Sequence, residues 1–347
     1  MNKKMMRAAA ALLLCAMLVC TFGACANAKN KKVIGTSGEY EILYEQLRFI
    51  TMTYKVDLDG KYGDGNDENG SIWDDPATAE KYRAELEALV WNTIKENYAL
   101  LAACASYGIG RDAFEGKEIE EAVDQAMAEV LAEYSNKRAY KQDLKDRYAT
   151  DNLFRFYYAM DEMKYLLHAA MQKDGAFFTD EASFEAWLTE GNCAYVQHFL
   201  LTHESDEEKE ENRAILEAAR QKLISGEWTL TDCINKANDD LSNVSPYYLV
   251  RNVHKDVLVD TALSLKNVGD VSEIVEIEGA LYVFVRIEET ATEDALGNLQ
   301  TTLSLQLTNL LSTYQWAIVG DAVEVAKATV QIELNEYGKS IDLVAMQ

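Results

Sequence analysis

Basic residues, cysteines, long apolar runs and the short signatures of covalent or metal chemistry are all scarce in this chain. Its 33 lysines and arginines face 58 aspartates and glutamates, a formal charge of −25 over 347 residues. Such a field repels nucleic acid and anionic lipid head groups alike, which argues against a nucleic-acid partner. The charge reads as solubility and as spacing from an anionic surface. None of the six cysteines forms a Cys-x-x-Cys pair, which removes zinc and dithiol-redox arrangements. Disulfide-built domains are much richer in cysteine than this. No Gly-x-Ser-x-Gly, His-Glu-x-x-His or phosphate-loop sequence occurs, so no metal or cofactor is expected. Beyond residues 8–22, no apolar stretch approaches the ~20 residues that a membrane-spanning helix needs.

What is present starts at the amino terminus. Residues 1–24 read Met-Asn-Lys-Lys-Met-Met-Arg, then an apolar run from Ala8 to Phe22, then Gly23-Ala24 before Cys25. A basic start, an apolar run too short to span a bilayer comfortably and small residues at its end describe a secretory signal. Phe22-Gly23-Ala24-Cys25 resembles the lipobox of bacterial lipoproteins, with Phe22 where that family usually has Leu. The resemblance implies cleavage before Cys25, lipidation of Cys25 and a place at the extracytoplasmic face of the cell membrane. An ordinary secretory signal is the alternative. Without Lys3, Lys4 and Arg7 the mature chain would hold 30 basic and 58 acidic residues, a charge of −28. The lipid would be its only anchor; one acyl chain holds marginally, whereas two hold stably. Cys104, Cys193 and Cys233 remain, with unrelated spacings; they read as small buried apolar residues, with one disulfide left open.

Residues 25–37 are small, polar and basic, suiting a tether. From Glu39 the spacing of Ile42, Leu43, Leu47, Ile50 and Tyr54 predicts a helix, ended by a Gly-, Asp- and Asn-rich loop over 57–76. A long helix is expected over 77–107, with Tyr82, Leu86, Leu89, Ile94, Tyr98 and Leu101 on its apolar side. Another should be marked by Ala122, Met127, Val130, Leu131 and Tyr134, a further one should run to Lys173, and a short one over 179–190 should have Thr179 as its N-cap. After Gly191 the character changes. The apolar, aromatic run 193–201 predicts a buried strand. Helices are expected over 204–223 and 229–237, an irregular crossing loop over 238–255, and a helix over 257–265. Strands over 271–277 and 280–287 should be joined by a hairpin turn at Glu278-Gly279. A last helix is expected over 301–319 and a terminal strand within 323–343.

The order of elements over 192–289 resembles the parvulin domain of peptidyl-prolyl isomerases. Tyr195-Val196-Gln197-His198-Phe199-Leu200-Leu201 looks like that family's first strand, where a histidine precedes Ile-Leu-Val. Cys233-Ile234-Asn235-Lys236-Ala237-Asn238-Asp239-Asp240 looks like the helix ending in Tyr-Ser-Asp plus an acid or cysteine. Leu265-Lys266-Asn267-Val268-Gly269-Asp270-Val271-Ser272 looks like Leu-x-x-Gly-Glu-x-Ser with one residue inserted. Gly279-Ala280-Leu281-Tyr282-Val283-Phe284-Val285 looks like the closing Gly-Tyr-His-Ile-Ile strand. The wider layout is similar to exported foldases of the PrsA and SurA type. It implies an α+β fold in five segments: a signal over 1–24, a tether over 25–37, a helical chaperone-like domain over 38–190, a parvulin-like antiparallel domain over 191–290 and a C-terminal helical return over 291–347. Two departures stand out. The loop after Asp240 reads Ser245-Pro246-Tyr247-Tyr248-Leu249 where the family has Gly-Gly-Asp-Leu-Gly-x-Phe, and Tyr282 takes the place of a second histidine.

On this resemblance His198 would sit under the active site, with Asp240 at the acid-or-cysteine position and Tyr282 within reach of His198 through its hydroxyl. Tyr248, Leu249 and Leu258 would wall the proline pocket. A core histidine, a turn residue and plain packing are the plainer readings of these positions. Prolyl isomerisation needs no nucleophile, metal or cofactor, since the barrier is amide rotation and the catalyst need only hold the twisted amide better than the planar one. His203 lies in the acidic segment 202–211, which argues against recognition of phosphorylated substrates. Asp57, Asp59, Asp64, Asn66, Asp67 and Glu68 do not match a calcium loop, because Gly60 comes too early and Lys61 occupies a ligand place. Three functions follow: a membrane-tethered foldase acting on unfolded or newly exported polypeptides, a catalytically inactive holding chaperone of the same fold, or a solute-binding lipoprotein. A four-stranded antiparallel sheet with His198 facing Tyr282 is expected for the first two; a parallel sheet would exclude both.

Overall fold

The computed structural model describes residues 29–63, 70–242, 244–293 and 299–347. The signal segment and Cys25 lie outside the described residues, as do Asp64, Asn66, Asp67 and Glu68. The chain is α+β, with small antiparallel sheets and a long C-terminal helix. It divides into two compact units, one of the described residues up to Ala170 together with Gly320–Gln347, the other Met171–Val319. Among the described residues no helix is long and apolar enough to cross a membrane.

The first unit opens on a hairpin. Val33–Ser37 (β1) and Tyr40–Leu43 (β2) pair antiparallel, and Glu333–Leu334 (β9) lines the other side of β1. Residues 33–37 therefore belong to a sheet, not to a tether. The expected helix starts at Tyr44 instead of Glu39, because Ile42 and Leu43 suit a strand as well as a helix and Gly38 turns the chain at φ +58°. Gln46 Oε1 accepts from the Leu43 amide at 2.8 Å and closes the start of α1, Tyr44–Tyr62. A short helix, Glu336–Lys339 (α12), seats Gly338 where an added Cβ would lie 2.1 Å from the Ile34 carbonyl oxygen, so only glycine fits.

Pro76–Ser106 (α2) starts on Asp75, which accepts from the Thr78 amide at 2.9 Å, with Pro76 in the first turn. It buries Leu86, Val90, Ile94, Tyr98 and Leu101, close to the expected stripe. After a one-turn helix Arg111–Phe114 (α3) comes Lys117–Glu133 (α4), whose buried row is Ile119, Val123 and Met127; Leu131 lies in this helix, as its place among the marking residues requires, but is exposed. Lys137–Asp146 (α5) is capped by the Asn136 side chain and buries Tyr140 and Leu144. Asp151–Lys173 (α6) buries Leu153, Met160, Met163 and Leu167.

In the second unit, Glu181–Trp187 (α7) is capped by Asp180, not Thr179; its carboxylate accepts from the Ser183 amide at 2.8 Å. Asp is the stronger partner here because it completes the helix dipole as well as the bond. A wide turn through Gly191 leads into Cys193–Thr202 (β3). Asp206–Ile224 (α8) and Leu230–Lys236 (α9) follow, then Tyr247–Val250 (β4), Asp256–Ser264 (α10), Val275–Ile277 (β5) and Ala280–Arg286 (β6). The sheet is four-stranded and antiparallel throughout, in the order β4-β3-β6-β5. Glu278 and Gly279 both have positive φ, as the expected hairpin turn requires. Strand β4 lies in what the sequence reads as an irregular loop: four residues are too few to show a period, and Pro246 just before them suggests a break.

Alternation along the strands gives this sheet two cores. Phe199, Leu201, Leu281, Val283 and Val285 meet Leu216 and Ala219 of α8 and Cys233 and Ile234 of α9. Ala194, Val196, Leu249 and Phe284 meet Val259 and Ala262 of α10. The pair Thr292–Glu293 (β7) and Leu299–Gln300 (β8) precedes Thr302–Lys327 (α11), which runs beyond the expected end at Val319. Within this unit Tyr314 of α11 packs 5.2 Å from Phe184 and 5.3 Å from Trp187. Cys104, Cys193 and Cys233 are free thiols; burial pushes Cys104 up to about 12 and Cys193 and Cys233 up to about 11, so all three stay protonated and inert.

Candidate functional site

His198 sits mid-strand on β3, opposite Phe284 of β6, with 4% of its surface exposed. Its side chain points to the same face as Ala194 and Val196, the face covered by α10. The Tyr247 hydroxyl lies 2.9 Å from its Nδ1, and Asp240 Oδ2 lies 3.5 Å from its Nε2. The second distance is at the limit of a hydrogen bond, and among the described residues Nε2 has no other partner. An imidazole N–H is therefore best placed on Nε2, towards the carboxylate, leaving Nδ1 to accept from the Tyr247 hydroxyl. Burial lowers the His198 pKa below its ordinary value, and the neighbouring Asp240 carboxylate opposes that shift without cancelling it. Burial also raises the Tyr247 and Tyr282 phenols, so both remain donors.

Asp240 reaches this place through the segment that follows α9. β4 pairs with β3 only as far as Val196, and beyond it Asn238 and Asp239 take over the free edge. Asn238 Oδ1 accepts from the Leu200 amide at 2.9 Å, and the Asp239 amide donates to the Leu200 carbonyl at 2.8 Å. Asp239 Oδ2 accepts from the amide and hydroxyl of Thr202, at 2.8 and 2.9 Å. These four bonds hold the turn so that the next residue, Asp240, faces His198. The other oxygen of Asp240 accepts from the Ser242 hydroxyl at 2.7 Å.

The expected residues are only partly brought together. His198, Asp240 and Tyr282 converge, the Tyr282 ring lying 5.7 Å from His198 and stacking on Phe284 at 5.8 Å. The hydroxyl bonded to His198 is that of Tyr247, however, not that of Tyr282. Leu249 is fully buried in the core on the α10 side, and Leu258 packs partly against it. Tyr248 points to the opposite face, 4.8 Å from Tyr195, and takes no part. Tyr248 and Leu249 are consecutive strand residues and cannot share a face; the alternation that pairs Leu249 with Tyr247 would have found the missing phenol.

Chemically the arrangement is a line of polar contacts, Tyr247 to His198 to Asp240, set among the rings of Tyr282 and Phe284. It presents no exposed nucleophile, and His198 is too enclosed to exchange protons freely with a substrate. Among the described residues no three His, Cys, Asp or Glu side chains cluster so as to hold a metal ion. In the acidic loop, Asp59 Oδ1 accepts from the Ile72 amide at 2.7 Å and the Ser71 hydroxyl at 3.0 Å, a local structural use.

No protein-family model matches this chain, and no curated protein does. Solved structures similar to it are foldases of the PrsA and SurA type. One is the peptidylprolyl isomerase PrsA from Bacillus anthracis, at 15% identity and a TM-score of 0.36, covering 73% of this chain and 94% of the other. Another is the foldase PrsA from Streptococcus pneumoniae, at 16% identity and a TM-score of 0.30, covering 75% and 91%. A SurA-like chaperone structure from Campylobacter jejuni is similar at 14% identity and a TM-score of 0.25, covering 88% and 99%.

Proposed function

We propose that this protein is an extracytoplasmic foldase, tethered to the membrane by a lipid at Cys25, that assists newly exported polypeptides through a parvulin-like domain. The observation that carries the reading is the line Tyr247–His198–Asp240, buried at its central histidine, beside Tyr282 and Phe284 on a four-stranded antiparallel sheet. It supports a site where an X-Pro amide is twisted without covalent chemistry. The spontaneous exchange takes roughly tens to hundreds of seconds, so even a weak catalyst would matter to a folding chain. Tyr247 supplies the hydroxyl that the altered loop and the Tyr282 replacement put in question.

A second reading, a holding chaperone without catalysis, is favoured by Tyr282 standing where the resembled family has a histidine. An antiparallel sheet gives the solute-binding alternative no support. The deciding experiment is proline-peptide isomerisation by the purified mature chain, alongside suppression of aggregation of an unfolded protein. A rate above buffer that falls at least ten-fold in His198→Ala supports the foldase. A rate equal to buffer with aggregation still suppressed leaves the holding chaperone, and neither activity overturns both.

A further inference from the structure

Helix α5 runs against the charge of the whole molecule. Residues 137–147 hold five cations against two carboxylates, a net +3 in a chain of −25. Lys137, Lys141 and Lys145 follow one another at intervals of four, and Arg138 lies beside them. At 3.6 residues per turn these four charges fall within an arc of about 100° and a length of about 12 Å. All four are exposed, and with Gln142 they line one open groove. Tyr140 and Leu144 point the other way, into the core.

Among the described residues the four cations are also unpaired. Asp143 is taken by Arg147 at 3.1 Å and by the Tyr134 hydroxyl at 2.7 Å, and Asp146 accepts from Gln142 at 2.7 Å. Among the described residues no carboxylate meets Lys137, Arg138, Lys141 or Lys145. Elsewhere in the same unit Arg83, Arg111 and Arg155 each contact a carboxylate within 3 Å. In so acidic a protein, a face that keeps its cations free is suited to a partner that is itself anionic. Its exposed surface carries no apolar side chain, so it offers an unfolded polypeptide nothing to bury and a bilayer nothing to insert. What it fits is a flat anionic layer contacted from outside.

We propose that the α5 face adsorbs to anionic phospholipid head groups. The opposing field of the whole chain does not forbid this, because charges beyond about 8 Å are largely screened at physiological ionic strength. Each lysine or arginine near such a surface improves partitioning on the order of five-fold, so four together give roughly 10² to 10³. The contact is independent of any lipid at Cys25 and of the His198 site.

The test uses the chain from Ala26 onward, which carries no acyl group, sedimented with vesicles of phosphatidylglycerol and phosphatidylcholine or of phosphatidylcholine alone. Binding is expected only to the anionic vesicles and should vanish at high salt. The fourfold variant K137Q/R138Q/K141Q/K145Q should bind at least ten-fold less, with its unfolding midpoint unchanged. The charge-keeping variant K137R/R138K/K141R/K145R should bind as the parent does. No binding to anionic vesicles, equal binding by parent and glutamine variant, or loss in the charge-keeping variant while it stays folded would each overturn the proposal. So would binding of a soluble acidic polypeptide through these four residues with the vesicles left untouched.

Discussion

The hydroxyl of Tyr247 lies 2.9 Å from Nδ1 of His198, and it joins a strand the sequence conceals to the one histidine it singles out. Four residues of β4 suffice to place that hydroxyl, because their pairing with β3 sets Tyr247 opposite Val196 and on the His198 face.

Tyr247→Phe should remove this bond and leave a buried ring nitrogen unsatisfied. The loss is expected to be about 1–3 kcal/mol of unfolding free energy. Denaturant unfolding of the mature chain measures it, and Tyr248→Phe, on the opposite face, is the control for the site: any isomerase activity should drop in the first variant and persist in the second.

His198 titrates below the ordinary histidine value of about 6.5 in the folded state, as does His254, whose Nδ1 accepts from the Val250 amide at 3.0 Å. The unfolded chain therefore binds more protons than the folded one in the window below about pH 6.5. Stability contributed by these groups is present above that window and is lost as pH falls through the folded pKa, by at most ~1.4 kcal/mol per pH unit for each histidine. Unfolding curves from pH 5 to 8 should show a shallower acid-side slope for His198→Gln than for the parent. An identical slope would sink the assignment of His198 as a buried neutral ring.

Asp240→Asn should lower the His198 pKa further, because the carboxylate is what opposes the burial effect. The imidazole carbon protons, followed by nuclear magnetic resonance through an acid titration, would report the shift. A rise would mean that Asp240 does not act on the ring.

Gly338→Ala tests the first unit separately. A methyl group 2.1 Å from the Ile34 carbonyl must push α12 away from β1, at an expected cost of about 1–3 kcal/mol. Gly320→Ala, where the added atom meets nothing within 4 Å, should be neutral or slightly stabilising by comparison.

Much of the molecule was legible in the chain itself. Long helices such as α2 repeat their apolar positions many times, so their period shows: Leu86, Ile94, Tyr98 and Leu101 are all buried as read. The run around His198 was recognisable because a strand covered on both faces is apolar almost throughout. Glu278-Gly279 declared its turn by a local conformational need. Hidden from view were the short elements, β1, β2 and β4, whose stability comes from partners distant in sequence rather than from their own pattern.

By itself, then, the sequence determined the alternation of helix and strand and the buried strand that carries His198, since those follow from local periodicity, while Asp240 beside that histidine came only as what the parvulin resemblance implies. The choice of phenol fell to the tertiary structure. Pairing in register decided that Tyr247 meets His198 while Tyr248 turns away to Tyr195, a one-residue distinction that only the partner strand imposes.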